Sequence, residues 1–198
     1  MRPVKLIEGR AVPLDRSDVD TDQIIPSDWL KRVERTGFGE GLFSDWRDRE
    51  DFVLNREEHK GASILVAGRN FGTGSSREHA VWALLDYGFE AVVSSSFGDI
   101  FANNCTKQGL VPCRVDEAFA AALMESITKD PTLMVKIDVQ AGRIEAAGAG
   151  LSATFPMDEF TRTRLVNGWD DIGLSLRHEG DIALHEAARP AWLPSVGA

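Results

Sequence analysis

The 198-residue sequence predicts an α/β fold built on a parallel sheet. In its middle part, apolar runs at 63–67 and 91–94 alternate with helical spacing at 76–87 and 97–109, and the strand LVPCRV follows. Strands that alternate with helices in this way form parallel sheets with right-handed crossovers. Ligands of such sheets bind outside the carboxyl ends of the strands, so we expect a site where these strands end.

The segments on either side complete the predicted architecture, and each is recognised by its periodicity or by a turn signal. In chain order they are a hairpin or two strands at 4–14 around Gly9, a helix from Glu117 that Pro131 ends, a hairpin turning at Ala141-Gly142, the strand LSATFPM, and helices from Asp158 to about Ala188 broken near Gly168 and Gly180. Because neither a repeat nor a linker interrupts them, we predict a single domain over 1–198 with a helical C-terminal tail.

Composition limits the classes of function. A net charge of −9 and a pI near 4.9 disfavour nucleic acid and anionic membranes as partners, because both require a basic face. The sequence has two cysteines, Cys105 and Cys113, which are too few for a disulfide framework or for holding a zinc or iron–sulfur centre alone. An apolar signal segment and a membrane span are not recognisable, so a cytoplasmic location is expected.

An acidic stretch, SDVDTDQIIP, invites a metal interpretation. Its Asp18, Asp20 and Asp22 have the spacing that begins an EF-hand calcium loop, but the later glycine and the closing glutamate are missing. We therefore predict a polar, turn-rich loop in which these side chains stabilise turns.

The stretch NFGTGSSREHA, Asn70 to Ala80, is the candidate site. Gly72 and Gly74 let the backbone approach a ligand, and the helix that follows offers unpaired N–H groups to an anion. Ser75 and Ser76 add hydroxyl groups and Arg77 adds a bidentate fork, which together suit a phosphate, a carboxylate or a reaction oxyanion. The spacing fits neither a P-loop nor a dinucleotide fingerprint.

A purely structural interpretation of this stretch stays open. Ser75 and Glu78 have capping-box spacing, which would satisfy the first helical N–H groups without any ligand. His79 can polarise a substrate group or brace the helix, and bracing is favoured. The polar residues of the next helix, Asn103, Asn104, Lys107 and Gln108, can approach the same rim or face solvent.

A second candidate is the segment 29–43, which contains RTGFGEGLF. Gly37, Gly39 and Gly41 around Phe38 do not sustain a regular helix, so a flexible loop is predicted. Loops of this length are often lids or partner contacts, and a plain surface connection is the equal alternative.

Several of these motifs occur together in one known family. NFGTGSSREHA, DVDTDQIIP, RTGFGEGLF and SFGDIF, with the spacing between them, closely resemble the small subunits of bacterial 3-isopropylmalate dehydratase over about 4–194. That family belongs to the aconitase superfamily, and the resemblance implies a β/β/α swivelling domain of the aconitase type.

The resemblance also implies roles for individual residues. Ser75 would be the catalytic base, and Ser76 and Arg77 would bind the substrate carboxylates. Thr21 and Asp22 would line the same site. Ile25 stands where aconitase has a serine, and the segment from Trp29 to Phe43 replaces an aconitase loop that carries a substrate-binding arginine, so citrate is not the expected substrate. Leu30, Val33 and the RTGFG stretch, with Arg35 and Thr36, would line the pocket for an isopropyl group.

Cofactor and partner follow from the resemblance too. A four-iron four-sulfur cluster would sit in a separate large subunit, held by three of that subunit's cysteines, with an open iron as Lewis acid. The expected assembly is a heterodimer or a pair of heterodimers, which isomerises 2-isopropylmalate to 3-isopropylmalate through isopropylmaleate in leucine biosynthesis. Alternatives are the small subunit of a hydro-lyase for citraconate, methylmalate or homoaconitate, and a non-catalytic carboxylate-binding or partner-binding module.

Overall fold

The computed structural model describes residues 1–31, 36–74, 77–190 and 192. Within these ranges the strands are β1 (Leu6–Leu14), β2 (Ile64–Ala67), β3 (Ala91–Ser94), β4 (Val111–Arg114), β5 (Met134–Asp138), β6 (Arg143–Ala146) and β7 (Leu151–Thr154). The helices there are α1 (Thr21–Ile24), α2 (Ser44–Arg47), α3 (His79–Tyr87), α4 (Asp99–Gln108), α5 (Glu117–Lys129), α6 (Glu159–Asn167), α7 (Asp171–Leu176) and α8 (Glu179–Ala187). Short 3-10 turns occupy Ser27–Lys31, Phe38–Gly41, Val53–Asn55, Glu57–His59 and Ala147–Ala149.

One mixed sheet contains all of these strands, in the order β4-β3-β2-β1-β5-β6-β7. Strands β1 to β4 pair in parallel, and β1, β5, β6 and β7 pair antiparallel. The predicted α/β fold with a parallel core is therefore confirmed, and so are the hairpin of β5 and β6 and the strand β7.

The prediction of a hairpin or two strands at 4–14 was wrong. This segment is one strand whose first half, Leu6 to Arg10, pairs antiparallel with β5 and whose second half, Ala11 to Leu14, pairs in parallel with β2. Gly9 does not mark a turn: a Cβ built on it would lie 2.1 Å from the Ser63 hydroxyl oxygen, so the missing side chain permits close approach. β1 thus joins the parallel and antiparallel parts of the sheet.

The parallel strands are buried on both faces. In β2, Leu65 and Ala67 belong to a core cluster with α3 and α4, whereas Ile64 and Val66 belong to a second cluster with α5. All four side chains are fully buried, which explains why this strand has a continuous apolar run instead of an alternating pattern.

The acidic stretch forms a short helix where a loop was predicted. Asp20 caps α1: its carboxylate accepts the Gln23 backbone N–H at 2.8 Å, and the Gln23 side-chain oxygen accepts the Asp20 N–H at 3.0 Å. This reciprocal pair is a capping box, and it gives Asp20 a structural role.

The tail is helical, as predicted, with its first break at Gly168. The second break, at Arg177 and His178, is near Gly180 as predicted, although Gly180 itself is inside α8. Arg164 of α6 is buried and forms an ion pair with Asp171 of α7 at 2.9 Å. Across the part of the chain described, no helix combines the length and the apolarity that crossing a membrane requires.

Two backbone segments cross closely at the carboxyl edge of the sheet. A Cβ on Gly98 would lie 2.4 Å from the Gly72 carbonyl oxygen, and a Cβ on Gly72 would lie 2.2 Å from the Phe101 ring. Gly72 also has a φ of +74°, which favours glycine. Side chains at this crossing would therefore force α4 away from the turn after β2.

We expect Gly72→Ala to lower the free energy of unfolding by about 2–4 kcal/mol, because positive-φ strain adds to overpacking against Phe101. Gly150→Ala is the matched control: Gly150 has a φ of +66°, but a Cβ there meets nothing within 4 Å. It should cost only about 1 kcal/mol. Urea unfolding measures both variants, and equal losses would show that the crossing adds nothing beyond strain.

Candidate active site at the end of β2

The candidate site lies where the chain leaves β2 and turns into α3. Here the turn after β2 meets the start of α1, since the Thr21 N–H donates to the Thr73 carbonyl at 3.0 Å and the Gly72 N–H donates to the Val19 carbonyl at 2.7 Å. A second contact joins Phe71 to Phe97 in front of α4. The site is thus held by backbone bonds between segments more than 50 residues apart in sequence.

An ion pair forms across this junction. The Arg77 guanidinium donates to the Asp22 carboxylate, and the two side chains are 24% and 55% exposed. Thr21 beside them is buried. The structure therefore brings together three of the residues predicted for the site: Thr21, Asp22 and Arg77.

Three other predicted site residues, Ser75, Ser76 and Arg35, lie outside the described residues. The role of Ser75 as base, that of Ser76 in carboxylate binding and that of Arg35 in the pocket stay predictions. The seventh, Thr36, is exposed and lies two residues before the buried Phe38.

The capping box predicted for Ser75 and Glu78 involves Ser75, which lies outside the described residues, so the structure describes only the position of Glu78. Helix α3 begins at His79, so Glu78 occupies the position just before the helix and not its third position. The Glu78 carboxylate instead accepts a hydrogen bond of 2.5 Å from the Gln108 side-chain amide of α4. Glu78 therefore fixes α3 against α4.

His79 has a packing environment. Its ring lies 5.3 Å from the Phe38 ring in an edge-to-face arrangement and 4.6 Å from the Trp82 ring. These contacts support the interpretation that His79 braces the start of α3. They also connect the helix that follows the candidate turn to the segment 29–43.

Sequence reasoning missed the residues that shape the strand ends. Asn70 has a φ of +57°, donates from its side chain to Asp18 at 2.9 Å, and its N–H donates to the Ser96 hydroxyl at 2.8 Å. The buried Ser94 hydroxyl donates to the Gly68 carbonyl at 2.6 Å. The SSSF sequence after β3 was the available signal, because hydroxyl groups at the end of a strand often satisfy turn backbone.

The described residues do not offer a ligand set for a metal cluster. Among 1–31, 36–74, 77–190 and 192, no group of three or more His, Cys, Asp or Glu side chains is placed to hold a metal ion. Cys105 and Cys113 are both buried, and burial raises the pKa of each thiol far above its ordinary value. Both sulfurs are therefore kept as neutral thiols inside the core.

A large cavity lies apart from the candidate site. It has a volume of about 710 Å³ and lies between α4 and α6, where Asn103, Thr106, Arg114 and Arg162 line it. Its lining does not include Thr21, Asp22 or Arg77. Asn103 thus faces this cavity, while Gln108 binds Glu78.

The α/β fold is that of an aconitase-type swivelling domain, and comparisons with known proteins confirm this predicted class. A family model for the aconitase C-terminal domain matches residues 1–118. A second model, which describes the C-terminal domain of the small subunit in 3-isopropylmalate dehydratase, matches residues 171–194.

Full-length relatives indicate which family of aconitase-type domains the chain belongs to. The 3-isopropylmalate dehydratase small subunit of Rubrobacter xylanophilus is 54% identical over 99% of this chain and 100% of its own length. That of Parafrankia sp. is 60% identical over 95% of both chains. The crystal structure of 3-isopropylmalate dehydratase from Methanocaldococcus jannaschii aligns with a TM-score of 0.67 at 26% identity, covering 90% of this chain and 98% of that one. The chain belongs to the family of 3-isopropylmalate dehydratase small subunits.

Proposed function

We propose that this chain is the small-subunit half of a 3-isopropylmalate dehydratase, which isomerises 2-isopropylmalate to 3-isopropylmalate through isopropylmaleate in leucine biosynthesis. The observation that carries the proposal is the position of Arg77: in a chain of this family, it lies two residues before α3 and pairs with Asp22, next to Thr21. The cytoplasmic location expected from the sequence stays a prediction.

Substrate binding exchanges one carboxylate for another. Arg77 now holds the Asp22 carboxylate in a partly exposed pair, and such pairs contribute only about 0–1 kcal/mol. A substrate carboxylate can therefore replace Asp22 at little cost and use the bidentate geometry of the guanidinium. Asp22 keeps Arg77 in place until then.

Dehydration removes a proton from one carbon and hydroxide from its neighbour. We assign the proton to the Ser75 oxygen, as the family resemblance implies. In the sequence Ser75 comes two residues before Arg77 and four before the first residue of α3, and a guanidinium and a helix start both favour a nearby negative charge. Rehydration returns a proton and hydroxide to the exchanged carbons, which gives the isomer.

The departing hydroxide needs a Lewis acid that this chain's described residues are not arranged to hold. We assign it to a four-iron four-sulfur cluster in the large subunit, where an open iron would polarise the carbon–oxygen bond. The assembly is then a heterodimer or a pair of heterodimers with a shared site.

Ile25 supports a substrate with an apolar group. It occupies the position where the aconitase pattern has a serine, and here it is fully buried in the core cluster beneath α1. A hydroxyl partner for a third carboxylate is therefore missing at this position. The preference among isopropylmalate, methylmalate and homoaconitate depends on the segment 29–43.

A reconstitution assay tests the function. This chain alone, and mixed anaerobically with a cluster-loaded large subunit from the same cell, is assayed for isopropylmaleate hydration by ultraviolet absorbance. Turnover is expected only in the mixture, and Ser75→Ala should abolish it while the subunits still associate. Turnover of citraconate in place of isopropylmaleate would favour a related hydro-lyase. A complex with no hydratase activity would contradict the proposal, and so would full activity of Ser75→Ala.

The role of Arg77 predicts a binding defect. In the reconstituted enzyme, Arg77→Lys should raise KM by about tenfold or more, because an ammonium group does not reproduce two parallel hydrogen bonds to a carboxylate. Arg143→Lys is the control, since Arg143 is an exposed strand residue paired with Glu145. An unchanged KM in Arg77→Lys would place the carboxylate elsewhere.

The tail offers a surface for the large subunit. Helices α7 and α8 bury none of their described residues, yet Ile172, Leu176 and Leu184 are 72%, 59% and 72% exposed. The family model that matches this segment is specific to the small subunit, whereas the aconitase model ends at residue 118. We therefore assign the apolar tail residues to contact with the large subunit.

The tail assignment predicts an association defect without a folding defect. Leu176→Asp combined with Leu184→Asp should weaken subunit association at least about tenfold, because charges would enter a desolvated contact. The melting temperature of the free chain should stay close to that of the wild type, since exposed substitutions usually change stability by less than about 0.5 kcal/mol.

Met134→Gln is the control for the tail, because Met134 on β5 is a comparably exposed apolar residue at 49%. Association is measured by titrating one labelled subunit with the other. Wild-type affinity in the double variant would remove the tail from the interface.

A further inference from the structure

Helix α3 contacts the segment 29–43 at both of its ends. At the start of the helix, the His79 ring packs on the Phe38 ring, and at its end the Asp86 carboxylate accepts the Phe38 backbone N–H at 3.0 Å. Phe38 itself is fully buried. Phe38 therefore contacts α3 through both its side chain and its backbone.

The neighbouring loop residue fits the same helix end. A Cβ on Gly39 would lie 2.8 Å from the Tyr87 backbone nitrogen, so only glycine lets the loop backbone come this close. The Arg47 guanidinium lies 3.4 Å from the carbonyl oxygens of Gly39 and Glu40, and 5.5 Å from the Tyr87 ring. The 3-10 turn Phe38–Gly41 is thus seated on the last turn of α3.

An aspartate such as Asp86 is unfavourable near the C-terminal end of a helix. It is the penultimate residue of α3, where the helix dipole disfavours a negative charge. Its side chain is on the exposed side of the helix, so burial does not require an acid there. The described contact that accounts for a carboxylate at this position is the hydrogen bond that it accepts from the Phe38 N–H.

The other end of α3 follows directly from Arg77. A rigid two-turn helix therefore separates the carboxylate-binding arginine from the anchor of the loop. Building on the proposed function, we infer that Asp86 is a positioning residue for substrate specificity: through the Phe38 N–H it fixes the loop that borders the alkyl pocket at a set distance from Arg77. The ligand it serves is a malate or maleate with a branched alkyl group.

The inference predicts a selective KM effect. In the reconstituted enzyme, Asp86→Ala should raise KM for isopropylmaleate about five- to tenfold with kcat within about twofold, because the hydrogen bond that places the loop is lost. Citraconate carries only a methyl group and should be affected less, so the preference between the two substrates should fall. Asp86→Asn keeps an acceptor oxygen for Phe38 and should behave as the wild type.

Hydrogen exchange separates this inference from the proposed function. Hydrogen exchange of peptides covering 36–43 in the free chain should be faster in Asp86→Ala than in Asp86→Asn, and this readout does not depend on turnover. Glu125→Ala is the control for removing an exposed helix acid, since Glu125 lies on α5 and pairs with Lys129.

Each outcome is informative. Equal KM changes on both substrates, unchanged exchange in Asp86→Ala, or a defect in Asp86→Asn as large as in Asp86→Ala would overturn the positioning role. A wild-type complex that hydrates neither substrate would instead overturn the proposed function, while the exchange result would still decide whether Asp86 anchors the loop.

Discussion

The candidate site depends on one backbone crossing, in which the segment 19–21 runs against the turn at 72–73. Three backbone hydrogen bonds hold this crossing together: the N–H groups of Gly72 and Thr73 both donate to the Val19 carbonyl, and the Thr21 N–H donates to the Thr73 carbonyl. Because they join backbone atoms, they fix the positions from which the following side chains extend, whatever those side chains are. Asp22 and Arg77 meet because the crossing fixes the segments that lead to them. Their ion pair is weak, so it results from the crossing and does not hold the crossing in place.

Local sequence was sufficient for the regular elements. The apolar runs of β2 and β3 and the helical spacing of α4 and α5 are periodic signals that burial produces directly. Local sequence was insufficient for β1, because a strand's own sequence does not determine which strands it pairs with. Gly9 indicates a special backbone position, but only the approach of Ser63 shows that this position is a close contact and not a turn.

In the candidate site too, local sequence predicted some features and not the contacts between distant residues. Spacing indicated an anion-binding turn, but the ion pair of Arg77 with Asp22 joins residues 55 positions apart, and the bond from Phe38 to Asp86 spans 48. Such pairs depend on packing that no local pattern encodes. The small α1 helix was missed for a related reason, since Asp20 and Gln23 are equally common in turns and only their mutual hydrogen bonds distinguish a cap. The base and the pocket residues rest on family resemblance.

The close approach of Gly72 and Gly98 has a consequence for how this sequence can diverge. A side chain at either position meets an atom that does not move when a side chain rotates: the Gly72 carbonyl oxygen for Gly98, and the Phe101 Cβ, 2.7 Å away, for Gly72. Single substitutions at position 72 or 98 are therefore costly, and an evolutionary path that changes one of these three residues is favoured when the others change with it. Positions 72, 98 and 101 should accordingly vary as a unit, and a laboratory library that reshapes the substrate pocket is best built with all three held fixed.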